Sequence, residues 1–507
     1  MLEMFKYLGE GFLNCLDLQT ILVILAGVAW GILGGAIPGI SPSIAIVLAL
    51  PFTYHMDTVS AVAMLVAVYT GACYGSSIPA ILIGVPGAPA SAATIADGYE
   101  LGKKGKGLEA LGISLTSGVI GGLIGTLLLC VLAIPLGKVA LSFGAPEYFA
   151  ICILGLSIVA AVGNGSITKA LISIVIGLAV AGIGLDSFSG APRFTFGLSM
   201  LNDGVNDVSA MIGVFAVGEI FYSIYKDLQT KKIKMSIRIR IPWDKVKKLL
   251  PFTVRGGIIG TIVGVLPGAG SSLAGFVAYA DAKNASKHPE EFGKGSFEGV
   301  AAPESANNGC VGGSMVPVLA LGVPGSSGAA MIMAAFIMHG VVPGPTLFEQ
   351  HPDIVYTIFA GLFMAQLLLF AVGYLCMKPF LKIIDTNITT LNVIIMILVL
   401  TGSFSLSNRL LEPAIVLIFG LLGFWMKLYG YSPSAMVLGL VLGGMLEDEL
   451  RRSLIMSRGS FSIFFIRPLC LIILILSVAS VAYGYMKSSK TAKKAAAQRS
   501  ASDSDRN

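Results

Sequence analysis

The chain carries two copies of a pair of glycine- and proline-rich motifs, and each motif interrupts an apolar segment. The first motif reads GILGGAIPGISPS at 31–43 and GTIVGVLPGAGSS at 260–272. The second reads GSSIPAILIGVPG at 75–87 and GSMVPVLALGVPG at 313–325. Because both motifs recur in the same order, the sequence indicates an internal duplication.

A fainter third pair agrees with the duplication: FGLSMLNDGVND at 196–207 and LGGMLEDELRRS at 442–453. The offset between the copies grows from 229 residues in the first motif to 238 in the second, which indicates an insertion in the second copy. We therefore predict a first membrane repeat at 1–248 and a second at 249–486. The polar, basic tail at 487–507 is expected to be disordered.

The composition indicates that much of the protein surface faces lipid and not water. Hydrophobic residues make up 55% of the 507 residues and charged residues 12%, whereas an ordinary globular protein has about 25% charged residues. Apolar segments of roughly 20 residues, the length that spans a bilayer as a helix, recur along the chain. We predict an all-α polytopic membrane protein with about ten to twelve spans plus re-entrant pieces. This class excludes a soluble enzyme, a nucleic-acid binder and a secreted disulfide scaffold.

Positive charge is concentrated in particular loops. The linker 226–248 holds nine Lys and Arg residues, as cytoplasmic loops do; contact with anionic lipid is the alternative interpretation. In the first copy the loop 97–106 is lysine-rich and 52–57 has no Lys or Arg, whereas in the second copy 281–298 is lysine-rich and 340–353 has none. Corresponding loops thus have opposite charge patterns, which predicts the inverted repeats found in many secondary transporters. The side of the C-terminal tail stays open.

Proline-glycine pairs interrupt the apolar segments at matched places. Proline removes a backbone N–H group and glycine permits non-helical conformations. Such backbone occurs in a membrane only where it is buried in protein or lines a cavity, so matched breaks indicate a transporter binding site. Loop tips at the membrane surface are the alternative. The predicted structural breaks are Pro38, Pro86, Pro267 and Pro324, followed by Gly39, Gly87, Gly268 and Gly325.

Small polar residues flank these breaks. A half-helix that begins at a break offers free N–H groups and a positive dipole end, which favour a carboxylate, and serine hydroxyls add donors without charge. Carbonyls near the breaks suit a sodium ion. Serines also bond to helix carbonyls in ordinary membrane packing, which is the alternative role. The predicted substrate-binding residues are Gly39, Gly87, Gly268 and Gly325 of the breaks, together with Ser41, Ser43, Ser76, Ser77, Gly270, Ser271, Ser272, Asn307, Asn308, Ser314, Ser326 and Ser327.

The run PESANNG at 303–309 precedes the last break. Polar residues in an apolar segment are costly and usually functional, so Asn307 and Asn308 are either site residues or caps of a helix. For Glu304 we favour a helix N-terminus, where a carboxylate complements the helix dipole. The cysteines and histidines have no spacing typical of a metal site.

At these motifs the chain resembles the large membrane subunit (TctA) of tripartite tricarboxylate transporters, over nearly its whole length before the tail. The stretches that carry the resemblance are GGAIPGISPS, YGSSIPAILIGVPGAPASAAT, APESANNG and LGVPGSSGAAMIMAAFIMHGVVPGPTLF. The resemblance implies a multi-pass protein of the bacterial inner membrane that imports carboxylates by secondary active transport. It implies a transport domain that moves like an elevator against a scaffold.

The same resemblance implies partners and a coupling ion. A small membrane subunit similar to TctB and a periplasmic solute-binding protein similar to TctC would work with the chain. Sodium or a proton would be the coupling ion, and no cofactor is expected.

Two other functions remain as alternatives. Residues 325–328 read GSSG, which fits the GxSG of rhomboid-type serine proteases, and His339 follows. The first copy reads GAPA at the matching place, so the repeat accounts for the motif without catalysis, and we expect no enzymatic activity. A passive anion channel would need a continuous polar pore instead of matched breaks.

Overall fold

The computed structural model describes residues 2–37, 40–162, 166–226, 241–267, 270–375 and 388–504. Its helices are α1 Leu2–Leu16, α2 Leu18–Ala36, α3 Pro42–Thr53, α4 Thr58–Gly75, α5 Ser77–Ile83, α6 Ala92–Lys103, α7 Gly107–Ala140, α8 Ala145–Val162, α9 Ile167–Ala181, α10 Asp207–Ile212, α11 Gly218–Tyr225, α12 Trp243–Val265, α13 Gly270–Ala285, α14 Glu298–Leu321, α15 Ser327–Met338, α16 Leu347–Gln350, α17 Pro352–Leu375, α18 Ile388–Ser407, α19 Leu411–Leu428, α20 Pro433–Met456, α21 Ile463–Ile466 and α22 Pro468–Ser504. A π-helical turn joins α10 to α11, and the strands β1 Gly184–Leu185 and β2 Pro192–Arg193 pair antiparallel.

The described chain divides into two compact units. The first comprises 1–141 and 206–425, and the second comprises 142–205 and 426–507. Each unit therefore takes segments from both predicted repeats. In the second unit the last helix continues to Ser504, through the tail for which composition alone favours disorder.

Eight helical stretches among the described residues are long and apolar enough to cross a membrane. They are Leu18–Ala36, Thr58–Ile83, Gly107–Ala140, Asp207–Tyr225, Trp243–Val265, Pro352–Leu375, Leu411–Leu428 and Pro468–Met486. Shorter apolar helices include Ala145–Ala161, Ile167–Ala181 and Asn392–Ser405. The all-α polytopic membrane fold is confirmed, and the count of ten to twelve spans stays a prediction.

The core of the first unit is formed by α4 and α14. Every residue from Ser60 to Gly75 and from Gly299 to Ala320 is buried. Burial on all sides distinguishes these helices from lipid-facing ones, since a membrane helix at the periphery exposes apolar side chains to lipid. They pack closely against α2 and α12, respectively.

The same glycine contacts recur at matched positions of the two copies. A β-carbon on Gly31 of α2 would lie 2.3 Å from the carbonyl oxygen of Val68 on α4. A β-carbon on Gly260 of α12 would lie 2.2 Å from the carbonyl oxygen of Ala306 on α14. Small residues allow this close approach of helix backbones. The repetition seen in the sequence therefore extends to the packing of the helices.

Loops with the same charge pattern lie next to one another in the first unit. The Lys104 side chain donates to the carbonyl oxygen of Lys294 at 2.5 Å, which joins the two lysine-rich loops. Elsewhere in this unit, His339 Nε2, after α15, lies 3.5 Å from Thr53 Oγ1 at the end of α3, beside the loops without Lys or Arg. The loops that lie together are thus those of like charge pattern, which come from non-corresponding places in the two copies. The inverted orientation in the membrane stays a prediction.

Candidate functional site

Two of the predicted breaks interrupt helices in the structure. Residues 84–88 separate α5 from a 3₁₀ turn at Pro89–Ser91, and residues 322–326 separate α14 from α15. Pro86 and Pro324 lie in these two segments. Each segment opens with a glycine in the left-handed region, Gly84 with φ 71° and Gly322 with φ 69°. These glycines occupy matched positions, so the local chemistry of both copies ends the helix in the same way.

Glycine is also required at the second residue of each of these Pro-Gly pairs. A β-carbon on Gly87 would lie 2.3 Å from the carbonyl oxygen of Gly35, and one on Gly325 would lie 2.4 Å from that of Gly264. Both glycines are buried. Each break is therefore held against the helix that precedes the first break of its own copy.

The other two breaks are described in part. Pro38, Gly39 and Gly268 lie outside the described residues, and Pro267 is half-buried in the turn after α12. Helix α3 begins at Pro42, and the Ser41 side chain accepts a hydrogen bond from the N–H of Ile44 at 3.4 Å. Ser41 is thus a helix cap. The first turn of α13 contains Gly270, Ser271 and Ser272, all half-buried.

A cluster of hydroxyls, all buried except the half-buried Ser327, joins the first break of one copy to the second break of the other. Ser43 of α3 donates to Ser327 of α15 at 2.8 Å. The Tyr69 hydroxyl of α4 lies 2.7 Å from Ser326 Oγ and 3.5 Å from Ser314 Oγ. We call Ser43, Tyr69, Ser314, Ser326 and Ser327 the hydroxyl cluster. Four of its members were predicted from the sequence, and the structure brings them together.

The remaining two breaks are paired in the same crosswise manner. Helix α13, after the first break of the second copy, packs against α6 and the Pro89–Ser91 turn, after the second break of the first copy. A β-carbon on Gly275 would lie 3.2 Å from the carbonyl oxygen of Ala90. The breaks thus form two crosswise pairs, one on α3 and α15 and one on α6 and α13.

Asn307 lies where α14 contacts α4, and the side chain of the neighbouring Asn308 lies beside Gly118 of α7. The Asn307 amide donates to the carbonyl oxygen of Cys73 at 3.0 Å, and the Asn308 amide donates to that of Glu304 at 3.2 Å. The Oδ1 atoms of both residues are buried without a hydrogen-bond partner among the described residues. Buried acceptors need a donor or a cation, so this place suits such a group. Ser76 and Ser77 are buried nearby on the first copy.

The interpretation of Glu304 as part of a helix N-terminus is wrong. Helix α14 begins at Glu298, so Glu304 lies in its second turn and is 0% exposed. One carboxyl oxygen accepts a hydrogen bond from the Thr94 hydroxyl, and the other accepts one from the Ser114 hydroxyl at 2.8 Å. These two donors come from α6 and α7, and the sequence had not indicated either.

Tyr69 is a second residue that the sequence reasoning missed. A usable signal was present, because the 238-residue offset between the copies aligns Tyr69 with Asn307 and Thr70 with Asn308. All four are buried polar residues. Aligning each polar residue of one copy with its counterpart in the other would therefore have identified Tyr69 and Thr70 as candidates, because they align with Asn307 and Asn308.

The GSSG segment does not form a serine–histidine pair with His339. Ser326 caps α15 and bonds to Tyr69, while His339 follows the other end of this 12-residue helix. A helix of that length is about 18 Å long, far beyond hydrogen-bond reach. His339 instead faces Thr53. The geometry therefore gives no support to hydrolysis by this segment.

Buried, duplicated helix breaks in an all-α polytopic chain define the class of membrane proteins built from broken helices, of which secondary transporters are the best-known members. The comparison with protein families is more specific. A model described as the tripartite tricarboxylate transporter TctA family matches residues 21–438, and the chain belongs to this family. The family is one of transporter components, so the resemblance noted from the motifs is confirmed.

Two similar proteins come from Agrobacterium vitis. An "uncharacterized 52.8 kDa protein in TAR-I ttuC' 3'region" is 38% identical over 489 residues, which cover 96% of this chain and 97% of that protein. An "uncharacterized protein in TAR-II ttuC' 3'region" is 37% identical over 222 residues, which cover 44% of this chain and 92% of that protein. No solved structure matches the chain.

Proposed function

We propose that the chain is the large membrane subunit of a secondary transporter that imports carboxylates, driven by a sodium or proton gradient. Membership of the TctA family supports a transporter component. The observation that carries the proposal is the hydroxyl cluster, in which the Oγ atoms of Ser43 and Ser327, each in the first turn of the helix after a break, lie 2.8 Å apart. Hydroxyl donors beside two helix N-termini are a suitable environment for a carboxylate.

In this proposal the chain binds the carboxylate through side-chain hydroxyls and backbone N–H groups. The hydroxyls of Ser43 and Ser327 turn from each other to donate to the carboxylate. The first turns of α3 and α15 add backbone N–H groups, and Ser41 and Ser326 hold these turns in place as caps. A substrate hydroxyl or a coupling cation satisfies the unpaired oxygens of Asn307 and Asn308.

Partners and location belong to the same proposal. A small membrane subunit and a periplasmic solute-binding protein would complete the transporter in the bacterial inner membrane; the family description, which names a tripartite transporter, supports an assembly of three components. The binding protein would deliver the carboxylate to the outer end of the breaks. Movement of one part of the chain against the rest, like an elevator, would carry it across.

The proposal is tested by uptake of labelled dicarboxylates and tricarboxylates into proteoliposomes that contain the three subunits. We expect uptake under an imposed sodium or proton gradient, lowered about tenfold by Ser43→Ala or Ser327→Ala, because each removes a hydrogen bond to a charged group, worth about 1.5 kcal/mol. Ser405→Ala is the matched control, since Ser405 is exposed and bonds within its own helix. Absence of uptake under both gradients contradicts the function, and unchanged uptake by both variants contradicts the site.

A further inference from the structure

Glu304 is a carboxyl group in the buried centre of the first unit that the proposed site does not use. It is 0% exposed, and its two oxygens contact the hydroxyls of Thr94 and Ser114. Within the described residues it has no ion-pair partner. An ionisable residue inside a membrane segment is costly and is usually retained for function.

No positive charge from the packed helices reaches this carboxyl group in the described part of the chain. The titratable groups that face it are Cys73 and Tyr74 of α4, and neither is a cation. Helix α15 and the Pro89–Ser91 turn carry no titratable side chain. Among the charged groups of α6, α7, α12 and α13, Glu100 pairs with Lys103, Glu109 with Lys245 and Arg255 with Asp281, and Asp97 bonds to Tyr279 and the backbone N–H groups of Gly293, Gly295 and Ser296.

The contacts of Glu304 accommodate both protonation states, because each hydroxyl can either donate or accept a hydrogen bond. A buried carboxylate without a cation costs several kcal/mol, whereas the neutral acid donates to one hydroxyl and accepts from the other. A hard metal cation would hold each oxygen ligand about 2.3–2.6 Å from itself. Here the hydroxyl and carboxyl oxygens are instead in direct hydrogen-bond contact, 2.8 Å for Ser114. The cation that fits between such oxygens is a proton.

We propose that Glu304 is the proton-binding residue that couples proton entry to carboxylate transport. This inference rests on the proposed function. The neutral acid forms when the carboxylate takes up one proton from one side of the membrane, and it returns to the carboxylate when it releases that proton on the other side. Each cycle thus moves one proton with the substrate.

The position of Glu304 links it to the helix breaks. Asn308 lies one turn further along α14, and Ser314 of the hydroxyl cluster lies on the same helix. The break that ends α14 leads into Ser327, so substrate held between α3 and α15 and a proton on Glu304 both act on α14. Substrate binding and protonation then favour the same state, and by thermodynamic linkage each strengthens the other.

The test replaces Glu304 by glutamine, which has nearly the same shape and cannot change charge. In sodium-free proteoliposomes with an acidic exterior, the wild-type transporter accumulates carboxylate, and Glu304→Gln is expected to reduce net accumulation at least tenfold. The same variant keeps exchange of internal for external substrate, because exchange requires no net proton movement. Glu412→Gln is the matched control, since Glu412 is also buried and bonded to two serines but lies in the first turn of α19.

The two proposals fail in different ways. Accumulation by Glu304→Gln equal to the wild type under a proton gradient overturns the role of Glu304, as does wild-type accumulation that requires sodium; both leave the transport function standing. Absence of wild-type transport under either gradient overturns the proposed function itself.

A second variant covers the case in which Glu304→Gln does not fold. Ser114→Ala removes a donor that stabilises the carboxylate, so the midpoint of the pH profile of uptake is expected to move to higher pH. An unchanged profile overturns the role of Glu304. A second readout is the infrared band of the protonated carboxyl group in the purified chain, which Glu304→Gln is expected to abolish.

Discussion

At the scale of single residues, the closest packing beside the breaks is found at glycines, because the missing side chain leaves room for a neighbouring backbone. A β-carbon on Gly325 would lie 2.4 Å from the Gly264 carbonyl oxygen and 2.8 Å from the Ser314 α-carbon, and both are backbone atoms that cannot rotate away. Gly325→Ala should therefore displace the break and lower the free energy of unfolding by about 1–3 kcal/mol. Denaturant titration of the purified chain in detergent measures this change.

The matched control for this substitution is Gly444→Ala. Gly444 lies in helix α20, and a β-carbon there would have no atom within 4 Å. Alanine is a better helix former than glycine, so the free energy of unfolding of the Gly444→Ala variant should be unchanged or slightly higher. An equal decrease in the free energy of unfolding for Gly325→Ala and Gly444→Ala would contradict the view that close packing requires glycine at the break.

Glu304 shows what sequence reasoning could not predict at this scale. The run that contains it has a proline at 303, and proline favours the first turn of a helix. In the structure α14 starts earlier, at Glu298, because the preceding turn packs against α12: a β-carbon on Gly256 would lie 2.5 Å from the Ala302 carbonyl oxygen. Tertiary packing, which the local sequence does not express, extended the helix and placed Glu304 inside it.

At the scale of elements, the local chemistry of the breaks was predictable, and their partners were not. Pro86 and Pro324 lie in non-helical segments as expected, since proline and glycine act on the backbone at their own positions. The contact of Ser43 with Ser327 joins residues 284 positions apart. It depends on how α3 and α15 pack, and no feature of either segment alone specifies that pairing.

A charged hairpin in the second unit leads to a prediction about pH. Asp186 directly follows β1 and Arg193 lies in β2, and they form ion pairs with Arg451 and Glu447 of α20, respectively. Hydrogen bonds from the backbone N–H and hydroxyl of Ser189, together with Arg451, hold the pKa of Asp186 well below its usual range. A lowered pKa means that the contribution to stability is complete above the unfolded value of about 3.9 and is lost as the pH falls below it.

Hydrogen–deuterium exchange of residues 184–193 measures this effect. Protection, corrected for intrinsic exchange, should stay constant between about pH 8 and pH 5 and fall only near pH 4 and below. Asp186→Asn should exchange faster across the whole range because it removes both ion pairs of that carboxylate. Protection that disappears between pH 7 and pH 5 in the wild-type chain would show that another group controls the hairpin.

At the scale of the whole molecule, the duplication predicts the side of the membrane on which each loop lies. Lys104 and Lys294 come from loops that do not correspond in the repeat, yet they are in contact and both loops are basic. Basic loops favour the cytoplasm, so both should be cytoplasmic, whereas the loops at Tyr54 and Gly344 should face outward.

Single cysteines at these four positions, in a chain without native cysteines, test this with a membrane-impermeant thiol reagent. In intact cells only Tyr54→Cys and Gly344→Cys should react, and in inverted vesicles only Lys104→Cys and Lys294→Cys. Labelling of all four from one side would contradict inverted repeats, and with them the crosswise use of two copies to build one transport path.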